Sequence, residues 1–445
     1  MSLAATGPLS VDFVPGGTTG VTLPVHPGAL REAGVEWLTN AMRAYGSLPA
    51  DNAVTAITAC EPFAAGNSGD KLLLTVEYAR ADPGLHSELF VKFSRCLGDP
   101  FRDRRAHELD GEVRLAALSR HPAFPVAVAK PYFADFDPAS AAGLLITQRI
   151  RYGEGGIEPR RAKNMDHELA DPVEYYRATI TALARLAAAH QSGRLSPEAE
   201  RLFPFDAAAA AAELALPWSA AQLSAKAAAI AAFIADCPQL FPASVRTGEF
   251  AARLAEDALA FERHDAAIRR FLHADPRLFA LAHWNTHIDN AWFWRDAAGV
   301  LRAGLLDWGM VRPMNLAAAL WGGLSGAGIA MGDSHDALLA HFRHELSAHG
   351  GAAVAPEELR LHLDLTVVQL TLALMFDTPA LLRARMPGIA ALSGPDDPRL
   401  ARDRVVQGFL HTFAAALDLW ARHRPGDSLV RLMGQGAPTA VSATA

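Results

Sequence analysis

Three polar residues between positions 281 and 309 are of types that can bind metal ions or transfer protons. His283 follows the apolar run FALA, Asn290 precedes AWFW, and Asp307 follows GLL. An amide oxygen and a carboxylate that converge on one point suit a hard cation. Because Mg²⁺ takes few protein ligands and completes its shell with water and phosphate oxygens, Asn290 and Asp307 together are a sufficient protein contribution.

The apolar runs around these residues must form the elements that bring them together. They predict strands at 278–282, 291–294 and 301–306. The sequence RDAAG at 295–299 is typical of a hairpin turn between the last two strands. This hairpin would place Asn290 and Asp307 across from each other at one end.

The segment as a whole resembles a known motif. The sequence HWNTHIDN from His283 to Asn290, followed by a hairpin and Asp307-Trp308-Gly309, resembles the catalytic and metal-binding layout of protein-kinase-like phosphotransferases. The resemblance is to the aminoglycoside phosphotransferase, choline kinase and ecdysteroid kinase-like group. It implies a two-lobed α+β fold with a small antiparallel β N-lobe and a large helical C-lobe. It also implies ATP and Mg²⁺ as cofactors, with Asn290 and Asp307 as metal ligands.

The catalytic positions of the motif depart from the family at one residue. Asn285 stands where the family carries its catalytic aspartate, and an amide cannot accept a proton as a carboxylate does. Three sources of the base stay open: Asp289, His287, or the substrate itself. In the family, the residue at the position of His283 braces the loop. The candidate catalytic residues are therefore Asn285, Asp289 and His283.

A lysine in the N-terminal part is the next candidate. Lys92 lies in the apolar strand FVKF of a chain with only five lysines, so its position requires a reason. Taken alone, such a residue favours a lysine that guards an edge strand, whereas a partner for it favours a functional role. The resemblance pairs Lys92 with Glu112 on a helix predicted over 104–118. That ion pair would hold the lysine against the phosphates of the nucleotide. Glu108, one turn earlier, is the alternative partner.

The remaining nucleotide contacts are predicted from strands and turns. Residues 54–93 predict a meander of three strands. Glycines in its first turn allow backbone N–H groups to approach an anion, which makes candidates of Gly66, Asn67, Ser68 and Gly69. Two further strands are predicted at 125–132 and 143–150. The resemblance makes the end of the second strand, Gln148 to Ile150, the hinge whose backbone binds adenine.

These patterns, together with the resemblance, imply four parts of the chain. A flexible segment at 1–26 precedes a kinase-like N-lobe with a leading helix at 27–150. A helical C-lobe at 151–425 contains the hairpin segment 281–309, and a flexible tail at 426–445 follows. Within the C-lobe, Asn315 occupies a second position where related families usually have an aspartate.

Composition excludes several classes of function. A net charge of −7, a pI near 6.2 and the lack of a long basic run argue against binding to nucleic acid or an anionic membrane. Three widely spaced cysteines predict neither a disulfide framework nor a metal knuckle. No apolar run reaches the roughly 18–20 residues of a membrane span. We therefore expect a cytoplasmic protein.

Together these features predict an ATP-dependent phosphotransferase that acts on a hydroxyl of a small molecule. The helices between 150 and 275 would form the acceptor pocket. Two alternatives stay open: a nucleotide-binding pseudokinase that transfers no phosphate, and nucleotidyl transfer by the same fold. The sequence identifies neither the acceptor nor the oligomeric state.

Overall fold

The computed structural model describes residues 11–64, 68–163, 165–325 and 334–434. Its strands are β1 (Phe13–Pro15), β2 (Thr22–Pro24), β3 (Val54–Pro62), β4 (Lys71–Tyr78), β5 (Glu88–Phe93), β6 (Ala127–Val128), β7 (Pro131–Asp137), β8 (Ala142–Gln148), β9 (Phe279–Ala282), β10 (Ala291–Arg295), β11 (Leu301–Leu305) and β12 (Arg312–Asn315). Its helices are α1 (Pro27–Tyr45), α2 (Pro100–Asp103), α3 (Glu108–Leu118), α4 (Pro172–Gln191), α5 (Ala199–Leu202), α6 (Ala207–Glu213), α7 (Ala220–Asp236), α8 (Gly248–Arg263), α9 (Asp265–Leu272), α10 (Leu316–Leu324), α11 (His335–Ala348), α12 (Pro356–Leu374), α13 (Thr378–Arg385), α14 (Arg404–His423) and α15 (Pro425–Gly434).

The chain divides into two compact units that are each built from separate segments. The first unit comprises Met1–Arg160, Gly193–Phe203 and Asn290–Arg312. The second unit comprises Arg161–Ser192, Pro204–Asp289 and Pro313–Ala445. The hairpin β10–β11, which the sequence assigned to the C-terminal lobe, lies in the first unit because β11 pairs in parallel with β6.

A five-stranded antiparallel sheet with the order β3-β4-β5-β8-β7 forms the centre of the first unit. Its strands β3, β4 and β5 confirm the predicted meander. Leu72 and Leu74 of β4 and Val91 of β5 belong to one buried cluster with Leu38 of α1 and Val113 of α3. Since β5 has a neighbour on each side and a packed face, side chains on β5 are held by a rigid element.

The strand predicted at 125–132 is wrong in position. The long strand is β7, which begins at Pro131, and β6 covers only Ala127 and Val128. Residues 131–136 of β7 are all buried, so this strand lacks the alternation of apolar and polar residues that would reveal it in the sequence. Asp135 within β7 accepts hydrogen bonds from the backbone N–H groups of Thr18 (3.0 Å) and Thr19 (2.9 Å).

The second unit is mainly helical. Its large apolar cluster includes Phe233, Phe261, Phe413 and Trp420, which are almost fully buried. The indole N–H of Trp420 donates to Asp257 Oδ2 at 2.7 Å, so the polar atom of this core residue is satisfied. Strands β9 and β12 form a separate two-stranded sheet.

The predicted α+β class is confirmed by the small antiparallel sheet of the first unit and the helices of the second. Two segments predicted to be flexible contain regular structure: β1 pairs with β2, and α15 buries Leu429 and Leu432. Among the described residues, no single helix has the length and apolarity of a membrane span, and only the bent pair α12–α13 passes that test jointly.

Candidate functional site

The ammonium group of Lys92 joins two carboxylates in the first unit. Lys92 Nζ lies 2.5 Å from Glu112 Oε1 and 2.7 Å from Asp307 Oδ1. The lysine comes from the middle strand β5, the glutamate from α3, and the aspartate from the segment after β11. The structure thus brings together three residues that are 20 and 215 positions apart in the sequence.

Burial makes this arrangement electrostatically strong. The side chains of Lys92 and Glu112 are 7% and 6% exposed, whereas that of Asp307 is 49% exposed. Burial alone lowers the pKa of Lys92, but the charges of Asp307 and Glu112 outweigh burial and hold this pKa above its ordinary value. Lys92 is therefore charged at neutral pH. The half-exposed Asp307 is the member of the group that a ligand can reach.

Glu112, and not Glu108, is the partner of Lys92. Glu108 instead accepts a hydrogen bond from Arg105 Nε at 2.7 Å. Close approach of the segment after β11 to α3 depends on Gly309, where a Cβ would lie 3.2 Å from Glu108 Cβ and 3.4 Å from Glu112 Oε1. A side chain at position 309 would therefore push Asp307 and its neighbours away from the helix.

The hairpin β10–β11 positions Asn290 and Asp307. Ala291 pairs with Leu305, and Leu306 N donates to Asn290 O at 2.8 Å, so the ladder extends to the residue just before Asp307. Asp307 has a left-handed backbone (φ 59°), a conformation that aspartate and asparagine tolerate better than most residues. This backbone turns the chain sharply where the strand ends.

Mg²⁺ fits the donor set at this end of the hairpin. Among the described residues, no cluster of three or more His, Cys, Asp or Glu could enclose a metal. One carboxylate, from Asp307, and one amide oxygen, from Asn290, would supply the sparse oxygen set that Mg²⁺ uses when water and phosphate complete its shell. Zinc, which binds sulfur and imidazole ligands in closed tetrahedral sites, does not match it.

The glycine turn before β4 is described only from Ser68 onward, so the candidates Gly66 and Asn67 lie outside the described residues. The carbonyl oxygens of Ser68 and Gly69 face cations. Ser68 O accepts from Lys71 Nζ at 2.5 Å and from Arg102 Nη2 at 3.3 Å. Gly69 O accepts from both side chains as well. Sequence reasoning missed Lys71, although the scarcity of lysine that pointed to Lys92 applies to it equally.

Gly69 is expected to tolerate no side chain. It has a positive φ of 40°, and a Cβ there would lie 1.7 Å from Phe93 O. We expect Gly69→Ala to lower the free energy of unfolding by about 2–4 kcal/mol, because both backbone strain and a clash with a strand carbonyl arise. Urea unfolding measures this loss. Gly98→Ala is the control, since no atom lies within 4 Å of its Cβ position; equal losses in the two variants would contradict the prediction.

The predicted adenine-binding residues end a neighbouring strand. Gln148 closes β8 opposite Leu89 of β5, three residues along the strand from Lys92, a separation of about 10 Å. Gln148 N donates to Lys130 O at 2.8 Å, which commits this N–H to the sheet. Ile150 follows two residues later, beyond the end of the strand.

The candidate catalytic loop belongs to the second unit. His283 is fully buried, and its Nδ1 accepts a hydrogen bond from the backbone N–H of Asn285 at 3.0 Å. Since Nδ1 is the acceptor, the ring proton is on Nε2. Through this contact, the ring of His283 holds the backbone of the loop at Asn285.

Two adjacent glycines on α10 allow this helix to pack closely against the candidate catalytic loop. A Cβ at Gly322 would lie 1.9 Å from Trp284 O, and a Cβ at Gly323 would lie 2.2 Å from Thr286 Oγ1. The helix can therefore touch the loop backbone only because both positions lack side chains. The sequence WGGL within a helical pattern is an unusual signal that could have pointed to this contact.

Two other titratable groups belong to this part of the second unit, namely His287 within the loop and Asp166. Burial, with smaller contributions from the charges of Lys163 and His283, lowers the pKa of His287 to about 3. Burial and then the charge of Asp289 raise the pKa of Asp166 to about 7. Asp166 is 6% exposed, and its Oδ1 has no hydrogen-bond partner in the described part of the chain. His287 is neutral at pH 7, whereas Asp166 is only partly ionised.

The raised pKa of Asp166 predicts a stability that depends on pH. The folded-state pKa exceeds the unfolded value, so the folded protein binds the extra proton between about pH 4 and 7 and loses stability as the pH rises through that window. Asp166→Asn removes this loss. We expect its gain in unfolding free energy to be about 2 kcal/mol larger at pH 8 than at pH 5.5.

Urea unfolding at the two pH values tests this prediction. Asp171→Asn is the matched control, because Asp171 is the exposed N-cap of α4 and asparagine caps helices equally well. The control should show the same stability change at both pH values. A gain for Asp166→Asn that does not change with pH would mean that Asp166 is ionised throughout the range.

Comparisons with known proteins give structural neighbours only. No family model and no curated protein matches the chain. Among solved structures, it is similar to a choline/ethanolamine kinase family protein from Mesorhizobium loti, with a TM-score of 0.38 and 15% identity over 88% of this chain and 97% of the other. The similar structures are those of small-molecule kinases.

Two further structures illustrate the range of these neighbours. An ethanolamine kinase of Plasmodium vivax has a TM-score of 0.42 and 10% identity over 82% of this chain and 83% of the other. A spectinomycin phosphotransferase, solved with ADP and spectinomycin, has a TM-score of 0.40 and 11% identity over 82% of this chain and 94% of the other.

Proposed function

We propose that the protein transfers the terminal phosphoryl group of ATP to a hydroxyl of a small molecule. The observation that carries the proposal is the buried Lys92, whose ammonium contacts Glu112 at 2.5 Å and Asp307 at 2.7 Å. A lysine held between a helix carboxylate and a hairpin carboxylate is the arrangement with which kinase-like folds bind nucleotide phosphates and their metal. The half-exposed carboxylate of Asp307 is open to a ligand, whereas Lys92 and Glu112 are buried.

Different residues of the first unit bind the phosphates, the metal and the adenine of the nucleotide. Lys92 donates to the phosphate oxygens, and Glu112 fixes the position of the lysine. Asp307 and Asn290 would hold Mg²⁺, which would neutralise the charge of the phosphates. The backbone at the end of β8 and directly after it, from Gln148 to Ile150, binds the adenine. Phosphoryl transfer through a loose transition state requires mainly this positioning and charge neutralisation from the protein.

The acceptor hydroxyl must lose a proton when its oxygen bonds to phosphorus and the bond to the ADP oxygen breaks. Asn285 can accept a hydrogen bond from the hydroxyl but cannot take the proton. His287, with a pKa of about 3, is a weak base. Asp289 is then the carboxylate of the loop that can accept the proton. Without a dedicated base at position 285, we expect slow turnover.

Binding and turnover of the wild-type protein test the proposal. A nucleotide that binds the native state at 100 times its Kd raises the unfolding free energy by about 2.7 kcal/mol. We expect Mg·ATP to raise the melting temperature, and ADP release to increase with a suitable acceptor. Choline, ethanolamine and spectinomycin represent the acceptor classes named for the structural neighbours. No thermal shift with saturating Mg·ATP would refute the proposal.

Asn285 favours a second candidate function, namely nucleotide binding without transfer. The position that should take the proton carries an amide, and Asn315 repeats this replacement at a supporting position. Mg·ATP would then stabilise the protein although no acceptor increases ADP release. The same two measurements therefore separate the two candidates.

A further inference from the structure

A second buried lysine lies directly beside Lys92. In the register of β4 and β5, Lys71 is the cross-strand partner of Lys92. Directly opposed residues project from the same face of a sheet, with Cβ atoms about 5 Å apart. The two lysines are 8% and 6% exposed. Like charges in such positions destabilise a sheet, so the pair needs a reason beyond folding.

The two lysines differ in their partners. Lys92 is paired with Glu112 and Asp307, whereas no carboxylate within the described ranges forms an ion pair with Lys71. The acceptors of Lys71 are uncharged backbone oxygens, Ser68 O at 2.5 Å and Gly69 O at 3.3 Å. Burial and then the charge of Lys92 lower the pKa of Lys71 to about 8. The ligand-free protein thus keeps a buried cation that opposes its own stability.

Arg102 adds a second positive charge to the same pair of carbonyl groups. Its guanidinium donates to Ser68 O and Gly69 O, and 29% of its side chain is exposed. Its nearest carboxylate is that of Asp70, with 3.7 Å between Nη1 and Oδ1. Lys71 and Arg102 therefore both direct positive charge at the carbonyl groups of Ser68 and Gly69. These carbonyl groups lie at the start of β4, the strand that pairs with the strand of Lys92.

An anion would satisfy this cluster better than the carbonyl groups do. Charge-assisted hydrogen bonds from ammonium to phosphate are roughly twice as strong as bonds between neutral groups. Lys71, Lys92, Glu112 and Asp307 together carry no net charge, because the two carboxylates already balance the two lysines. Because Lys92 shares its charge with Glu112 and Asp307, Lys71 is the lysine whose charge only an incoming phosphate would neutralise.

We propose that Lys71 is a second phosphate-binding lysine, which supplies to the nucleotide the positive charge that Lys92 shares with two carboxylates. This inference rests on the proposed function and deepens it. The site binds the phosphates from two adjacent strands, with Lys92 oriented by Glu112 and Lys71 released from Ser68 O and Gly69 O.

Lys71→Gln tests the inference, because glutamine keeps a hydrogen-bond donor for the two carbonyl groups but removes the charge. Isothermal titration with Mg·ADP should show Kd raised roughly 10- to 100-fold, the effect of losing one charged hydrogen bond. Adenosine, which has no phosphate, should bind with unchanged Kd. The melting temperature of the ligand-free variant should equal or exceed that of the wild type, because a costly buried charge is gone.

Two controls sharpen the measurement. Lys130→Met removes the same charge from an exposed lysine of the first unit, whose Nζ donates to Gly84 O, and should leave Kd for Mg·ADP unchanged. Lys71→Met repeats the main test without a hydrogen-bond donor and should weaken Mg·ADP binding at least as much as glutamine does.

The outcomes separate this inference from the proposed function. If the wild type does not bind Mg·ADP, the proposed function fails and the inference fails with it. If the wild type binds and Lys71→Gln binds equally tightly, only the role of Lys71 is overturned. A variant that loses adenosine binding together with Mg·ADP binding would show that Lys71 supports the fold and not the phosphates, which also overturns it.

Discussion

Asp307→Asn is expected to weaken Mg·ATP binding by about 100-fold or more, since even the loss of an outer-shell partner of a metal typically costs 10- to 100-fold. The carboxylate of Asp307 is the half-exposed member of the Lys92 cluster and the only charged donor that we assign to Mg²⁺. Its replacement by an amide removes that charge. Titration of Mg·ATP into the wild type and the variant measures the loss.

Asparagine is a better probe here than alanine. Position 307 has a φ of 59°, which asparagine tolerates and which alanine adopts only at a cost. The variant should therefore keep the hairpin intact. It should also lose the Mg²⁺ dependence of binding, so that ATP affinities with Mg²⁺ and with EDTA become similar.

Asp296→Asn is the matched control for this experiment. Asp296 lies in the turn at the opposite end of the same hairpin, where its Oδ1 accepts from Ala298 N and Val300 N, each at 3.0 Å. The control should bind Mg·ATP like the wild type. An unchanged affinity in Asp307→Asn would mean that the hairpin does not hold the metal.

Asn285→Asp is expected to increase turnover by about 10²–10⁴-fold, the usual contribution of a positioned general base. The backbone N–H of Asn285, and not its side chain, bonds to His283 Nδ1. Asparagine and aspartate side chains have nearly the same size and shape, so the loop should keep its shape when the amide becomes a carboxylate. Affinity for Mg·ATP should stay the same, because the change acts on the acceptor hydroxyl and not on the nucleotide. A coupled assay of ADP release measures the rate.

Asn315→Asp provides the contrast. Asn315 Nδ2 donates to Leu272 O at 2.7 Å and contacts His362 Nδ1 at 3.0 Å, while its Oδ1 accepts from Ala317 N. A buried carboxylate would lose the donor contact to Leu272 O, so this variant should be less stable and gain no activity. If Asn285→Asp binds Mg·ATP but turns over no faster than the wild type with any acceptor, the amide at 285 is not what limits the rate.

The sequence predicts the core of the candidate site because its members are chemically conspicuous. A lysine in an apolar strand and an aspartate after a hairpin are visible in the sequence itself, whereas Glu112 on α3 is singled out by the family resemblance. The predicted strands of the hairpin agree with β10 and β11 to within one residue at their ends. The predicted contact between Lys92 and Glu112 is present in the structure.

The rest depends on contacts that no local pattern encodes. Lys71 occupies the first position of a strand, where a lysine is ordinary, and only the strand register places it beside Lys92. Asp166 lies in the polar segment before α4, where no local sequence pattern indicates a buried carboxyl group. β7 is buried at nearly every position, so its limits could not be found from alternation.

Because the first unit is built from separate segments of the chain, it cannot be completed early in translation. Its β sheet is encoded before Arg160, but the hairpin that carries Asp307 is encoded from Asn290 onward. At synthesis rates of about 5–20 residues per second, a ribosome needs roughly ten seconds to translate the intervening segment. The nascent chain must therefore keep β6 unpaired until β11 emerges. A fragment that stops at Arg160 would contain Lys92 and Glu112 without the third residue of their cluster.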